Sequence, residues 1–431
     1  MDEEQQIILR MLKEGKISIE EADALLGALG EQRAQDEAEA SAGPEVPAAH
    51  IAADIPAGPR AELGGLREEI QTIIGDILKT VPKEVTKGMR LGLRGVRGPR
   101  RHGFFDLLQG LRGLEEGQSE LIVTETLGAG ETLEVRNAWG DVQLQPAPGD
   151  VMTLAAQVRV WGATADEAQR VASRLTAETR RVGSVVVITI PRMEGWRVRA
   201  DLKIDVPSGV NVTLVEAKGD VQARGLSGSL RVGVAAGDVE VTDHQGPVDI
   251  DVKSGDLTVH QIDGDVAVDV KSGDVEVAQV RGLRGRISSG DVDVTDAAGL
   301  VLDVLNGDLG VSGVNGDVRI ETKSGDIQLR RVRSTAVRVR AVSGDVEADL
   351  EEFSTGDVQI ETVSGDIEVA LPATARVTVD ASVRSGKIEC TLPLQDARRH
   401  RRTLQGVLNA PDGRVTLHAL SGDIEIREHR G

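Results

Sequence analysis

The sequence predicts a mainly β chain: a β-solenoid of about 18-residue coils with Ser-Gly-Asp turns, preceded by a small α-helical hairpin and a linker. Three observations predict it. Ser-Gly-Asp occurs seven times, starting at Ser254, Ser272, Ser289, Ser324, Ser343, Ser364 and Ser421, and an alternating strand such as Asp291-Val-Asp-Val or Asp366-Ile-Glu-Val usually follows. The Gly-Asp aspartates run 220, 238, 256, 274, 291, 308, 326 and 345, with Asp265 and Asp317 at the half-step. There are 50 glycines but only six aromatic residues and no Tyr. A thin coil interior has room for Val, Ile and Leu but little room for rings. One coil cannot bury its apolar face alone, whereas a stack of coils can.

Residues 1–30 read as the helical hairpin. Ile8, Leu9, Met11 and Leu12 form one apolar stripe. Gly15 ends the first helix, and Ser18 with Glu21 forms a capping box for the second. Ala22, Leu25, Leu26 and Leu29 form the second stripe. So short a piece buries too little to stand alone, so it is expected to self-associate or dock on a partner. Residues 31–60, rich in Ala, Glu, Gly and Pro, read as a flexible linker.

Residues 61–118 combine an amphipathic helix with a basic, Gly-rich segment. Leu63, Leu66, Ile70, Ile73, Ile74, Ile77 and Leu78 supply the helix stripe. Residues 77–112 then carry nine basic and two acidic side chains in a chain of net charge −20. Arg97, Arg100 and Arg101 lead into the paired Phe104 and Phe105. Three readings of 83–112 are open: a linker against the acidic remainder of the chain, a surface for an anionic membrane, or a surface for an acidic partner or nucleic acid.

From about 119 the pattern is β. Residues 119–208 read as a cap region with one helix, 164–180, in which Thr164 is the N-cap and Asp166 and Glu167 lie in the first turn. Trp139, Trp161 and Trp196 fall here and are expected to close the first end of the stack. The solenoid itself is placed at 209–431, with coils from about Gly209. Val239, Val241, Leu257, Val259, Val275, Val277, Val292, Val294, Ile327, Leu329, Ile367 and Val369 are expected inside. Glu240, Thr258, Glu276, Asp293, Gln328 and Glu368 are expected outside.

The chemistry-bearing motifs are sparse. The single Cys390 excludes a disulfide framework and reads as an inert strand thiol. Gly92-x-x-Gly95-x-x-Gly98 is not a dinucleotide fingerprint, and no phosphate loop, His-Glu-x-x-His or nucleophile-elbow pattern occurs. His400, within Arg398–Arg402, reads as part of a solvated basic loop. Asp-bearing turns suggest a calcium roll, but each turn has one Gly followed directly by Asp, so an aspartate ladder capping turns is the favoured reading. No cofactor, metal or catalytic residue is expected. The acidic charge disfavours nucleic acid. The acidic start and the absence of an apolar span point to a cytoplasmic chain, membrane-peripheral if the basic segment engages a bilayer.

Two segments resemble known families. Leu12-Lys-Glu-Gly-Lys-Ile-Ser-Ile-Glu-Glu-Ala-Asp-Ala-Leu-Leu26 is similar to the SHOCT-like hairpin of YvlB-like bacterial proteins. Asn137-Ala-Trp-Gly-Asp-Val, Ile204-Asp-Val-Pro-Ser-Gly209 and the recurrent Ser-Gly-Asp-Val/Ile resemble an adhesin-like bacterial β-repeat family of unknown function. The resemblance implies a non-enzymatic scaffold, sensor or interaction protein of a bacterial envelope-stress response. The alternative is an adhesin-like or self-assembling structural solenoid. It carries over no catalytic residue.

Overall fold

Residues 115–351 and 353–429 are described by the computed structural model. The hairpin 1–30, the linker 31–60 and the helix and basic segment expected before residue 115 lie outside them. Among the described residues there are 29 strands and one α-helix.

Each rung of the stack gives one strand to each of two parallel ladders. In one ladder Leu257 lies beside Val239, and Val275, Val292, Leu309, Ile327, Val346 and Ile367 follow in register. In the other, Leu230, Val248, Val266, Leu283, Leu300, Val318, Val337 and Val358 align in the same way. Strand side chains alternate, so every second residue of both ladders enters one shared core. All twelve residues expected inside are buried. Of the outward set, Glu240, Glu276 and Asp293 are exposed. Thr258, Gln328 and Glu368 are half-buried, because outward side chains on rungs about 4.8 Å away flank them.

The two corners of a rung differ. At the Ser-Gly-Asp corner a glycine with positive φ stacks directly on the glycine below. Gly255 has φ 140°, and a Cβ there would overlap the Gly237 carbonyl oxygen, so this close approach admits no side chain. The half-step corner, expected to be a second tight turn, is instead made by one left-handed residue that need not be glycine. Asp243, Gln261, Gln279, Asp296 and Arg331 all have φ between 51° and 57°.

Stack order and chain order part company at both ends. Thr132–Asn137 lies between Val185–Thr189 and Asn211–Glu216, and Val142–Pro146 lies between Arg197–Val206 and Val221–Arg224. The ladders therefore include rungs well before Gly209. At the far end Gly413–Ser421 is inserted between Asp357–Ser364 and Val377–Ser385. Antiparallel strands then cover both ends. Val151–Gly162 pairs with Arg197–Val206, and Glu115–Thr126 pairs with Val151–Gly162. Thr403–Leu408 pairs with Val377–Ser385, and Gln395–His400 with Thr403–Leu408. Arg398, Arg399 and His400 thus belong to an exposed edge strand, not the loop expected for them.

The helix expected over 164–180 is shorter, Ala165–Ala172. Thr164 caps it, accepting the Glu167 N–H at 3.3 Å. Glu178–Val182 is instead an antiparallel strand on Val185–Thr189. Gly183, at φ 59°, closes a tight turn, and pairing the open edge of Val185–Thr189 satisfies backbone groups that an isolated helical turn would leave unpaired. All three tryptophans lie in this first part of the stack. Trp139 stacks on Trp161 with ring centroids 5.4 Å apart, and the Trp196 ring occupies the space a Cβ on Gly162 would need.

Candidate functional site

The turn aspartates form a ladder along the stack. Asp238 donates its N–H to Asp220 Oδ1 at 3.0 Å, and Asp256, Asp274, Asp291, Asp308, Asp326, Asp345, Asp366 and Asp423 each do the same to the carboxylate before them. The ladder begins at Asp201, whose carboxylate accepts the Asp141 N–H and pairs with Arg159 and Arg199. These partners hold the Asp201 carboxyl below its ordinary range, against the opposing effect of burial. It ends at Lys387, whose N–H caps Asp423 at 2.8 Å. One oxygen of each carboxylate is thus engaged in joining rungs. Among the described residues no group of three or more His, Cys, Asp or Glu side chains converges for a metal ion.

A second set of residues does not serve the stack. The position before Ser-Gly-Asp is Lys at 253, 271 and 323 and Ser at 288, but Val342, Val363 and Leu420 occupy it on three successive rungs, and Leu305 precedes Asn-Gly-Asp. These four aliphatic side chains are 37–51% exposed. They border an open groove of about 980 Å³. Along it runs a column of polar side chains, Arg286, Asp303, Glu321, Arg340, Glu361 and His418, one per rung. Arg340 lies 3.3 Å from Glu361 and 4.0 Å from Glu321. Thr322 and Thr362 also line the groove. They are 6% and 3% exposed, and neither hydroxyl has a hydrogen-bond partner among the described residues. A buried hydroxyl without a partner is costly, and an exposed aliphatic row is a surface that association would cover. Sequence reading missed this site. Its signal was the switch from Lys to aliphatic residues before the turn.

The reactive groups elsewhere are isolated. Ser382 Oγ lies 2.9 Å from His418 Nδ1 at the groove's end, but the neighbouring Glu361 is engaged by Arg340 and by Gln359 at 2.5 Å. Among the described residues no third group is therefore seen to orient the imidazole as acyl transfer requires. Cys390 is half-buried, and burial pushes its thiol up, away from the thiolate range of a nucleophile. Leu25, Leu26, Leu29, Arg97, Arg100, Arg101, Phe104 and Phe105, the interaction residues expected from sequence, all lie outside the described residues. No helix among the described residues is long and apolar enough to cross a membrane.

The repeat of stacked rungs meets its match in known proteins. The profile of the Toastrack DUF4097 family matches residues 96–296 and again residues 260–427. The chain belongs to the Toastrack family. Among solved structures, one similar chain is a proposed cell adhesion protein from Clostridium sporogenes, 11% identical, covering 72% of this chain and 100% of that one with a TM-score of 0.20. Another is a proposed adhesin from Bacteroides fragilis, 12% identical, covering 72% and 97%, with a TM-score of 0.22. No curated protein matches. In this Toastrack chain the aspartate ladder and glycine column build the scaffold, and the groove is the surface set apart from it.

Proposed function

We propose that this Toastrack chain is a non-enzymatic interaction protein whose β stack is a rigid support for a protein-docking groove. The observation that carries it is the row Leu305, Val342, Val363 and Leu420, exposed beside buried Thr hydroxyls that have no partner. The occupant is a separate protein presenting an apolar stripe. The chain's own Phe104–Leu111 cannot reach the far half of the groove, where Val342, Val363 and Leu420 lie. Phe104 lies 11 residues before Glu115, a reach of at most ~38 Å, whereas Val342 is about 11 strand spacings, ~50 Å, along the stack. In this reading the hairpin 1–30 supplies a second attachment point. An envelope-related response is the setting suggested by the order of hairpin and repeat.

The test is crosslinking and capture from cells with the intact chain and with a Val342→Glu/Val363→Glu variant. Partners retained by the wild type and lost by the variant, with unchanged circular dichroism, support the groove. An identical partner set for both ends the proposal.

A further inference from the structure

Beyond the groove, a different surface carries its own inference: the outer edge of the strand Glu115–Thr126. This strand pairs on one side only, with Val151–Gly162, among the described residues. Two contacts establish which of its backbone groups face outward. Gln118 donates its N–H to Gln169 Oε1 at 3.1 Å and accepts from Gln169 Nε2 at 2.8 Å, so a side-chain amide of the helix closes the edge there. At the other end Arg181 donates to the Thr126 carbonyl at 2.7 Å. Leu127, the next residue, turns its N–H the other way, to Asp150 O. Even-numbered residues therefore face the open edge. Glu120, Ile122 and Thr124 lie between the two closures with no strand beside them among the described residues. At their centre Ile122 is 66% exposed, an unusual degree for a large aliphatic residue.

We infer that this edge is a pairing site for a second copy of the same strand. An open edge is a template for another strand, and natural edges are usually closed by charge, proline or a covering element. Here the two ends are closed and the middle is not. A two-fold antiparallel arrangement centred on Ile122 sets Ile122 against Ile122, Glu120 against Thr124, Ser119 against Glu125 and Leu121 against Val123. No like charges oppose one another, which the self-complementarity of a two-fold contact requires. About six backbone hydrogen bonds would form, two at each outward-facing pair. Leu121 and Val123, only partly buried against the core, would lose further water. The two-fold match of charges and side chains about Ile122 is what selects a second copy of the strand as the occupant. So short a contact is weak, on the order of micromolar or weaker, and it joins two whole stacks edge to edge.

The test uses sedimentation velocity of the full chain over a range of concentrations. Ile122→Pro is the informative variant, because its N–H points away from the one strand beside it among the described residues and proline is tolerated at such an edge position. Leu25→Asp/Leu26→Asp separates any association through the amino-terminal hairpin. The expected result is a concentration-dependent dimer that persists in the hairpin variant and weakens at least tenfold in Ile122→Pro, with circular dichroism unchanged. In a Cys390→Ser background, Ile122→Cys should be linked to its own copy by a short bis-maleimide, while Glu116→Cys should not. A monomer at every concentration, or a dimer indifferent to Ile122→Pro, overturns the inference. The groove variant Val342→Glu/Val363→Glu should dimerise normally, so the two readings fail separately.

Discussion

Replacing Glu216 with glutamine turns a buried carboxyl into a measurement of the stack's interior. Glu216 is 0% exposed and lies in register between Asn137 and Val234. One oxygen accepts the Lys218 N–H at 3.1 Å, and the other has no partner among the described residues. Burial pushes its pKa from 4.5 up to about 8, with the Asp141 charge adding to the rise and hydrogen bonds from Lys218, Asn137 and Ala217 opposing it. The folded state thus holds the proton more tightly than the unfolded chain. The carboxyl's contribution to stability is complete below pH ~4.5 and is lost as pH rises through about 8. A change of that size corresponds to about 5 kcal/mol between the two limits, an upper bound that local rearrangement reduces. Glutamine keeps the shape and the acceptor but cannot ionise. Urea unfolding of both proteins at pH 5 and pH 9 measures the effect as a difference, which cancels groups common to both. The variant should resemble the wild type at pH 5 and exceed it by several kcal/mol at pH 9. Equal differences at the two pH values would refute the buried-acid reasoning.

Other substitutions probe the corners and the groove. Gly255→Ala forces a Cβ onto the Gly237 carbonyl and should cost about 3 kcal/mol or more, seen as a lower melting temperature. Asp256→Ala leaves the Asp274 N–H, now bonded at 2.9 Å, without its carboxylate and should cost about 1 kcal/mol, whereas Asp256→Asn keeps an oxygen in place and should cost less. Gln279→Gly relieves a left-handed residue at φ 57° and should be neutral or stabilising by up to about 1 kcal/mol in urea titrations. Thr362→Val removes a buried hydroxyl that has no partner among the described residues, so it should preserve stability or raise it by about 1 kcal/mol in urea titrations.

The core was legible because its code is local. Alternation marks Val239 and Val241 as neighbours on one face, and the spacing of Gly-Asp turns sets Leu257 beside Val239 without reference to anything distant. Thr164 was legible as a cap for the same reason. Three features were not. Gln261 and Gln279 carry no sign of a left-handed backbone, because the stacking of corners, and not side-chain preference, imposes it. The insertion of Gly413–Ser421 beside Asp357–Ser364 is silent because Ser364 and Ser421 head identical turns, and only partner choice separates them. The groove is a property of several rungs together. Val342, Val363 and Leu420 lie far apart in sequence and form a row only once the rungs are stacked.

Departures from the repeat separate scaffold from function. On the aspartate ladder the one change at the far end is Lys387, and it has a structural reason. Its rung is the last to join that ladder among the described residues, pairing through Ile388–Cys390 with Ile424–Glu428, so no further rung presents an N–H for a carboxylate to accept. A lysine there also avoids a thirteenth negative charge beside the row. The change from Lys to Leu305, Val342, Val363 and Leu420 has no such reason. These side chains gain no core contact, remain about half exposed, and replace a solvated cation that would offset the adjacent aspartates. Each therefore lowers solubility without strengthening the stack. A repeat that keeps its rule wherever the rule builds structure, and breaks it where the break costs the isolated chain, points to a surface shaped by something that binds it.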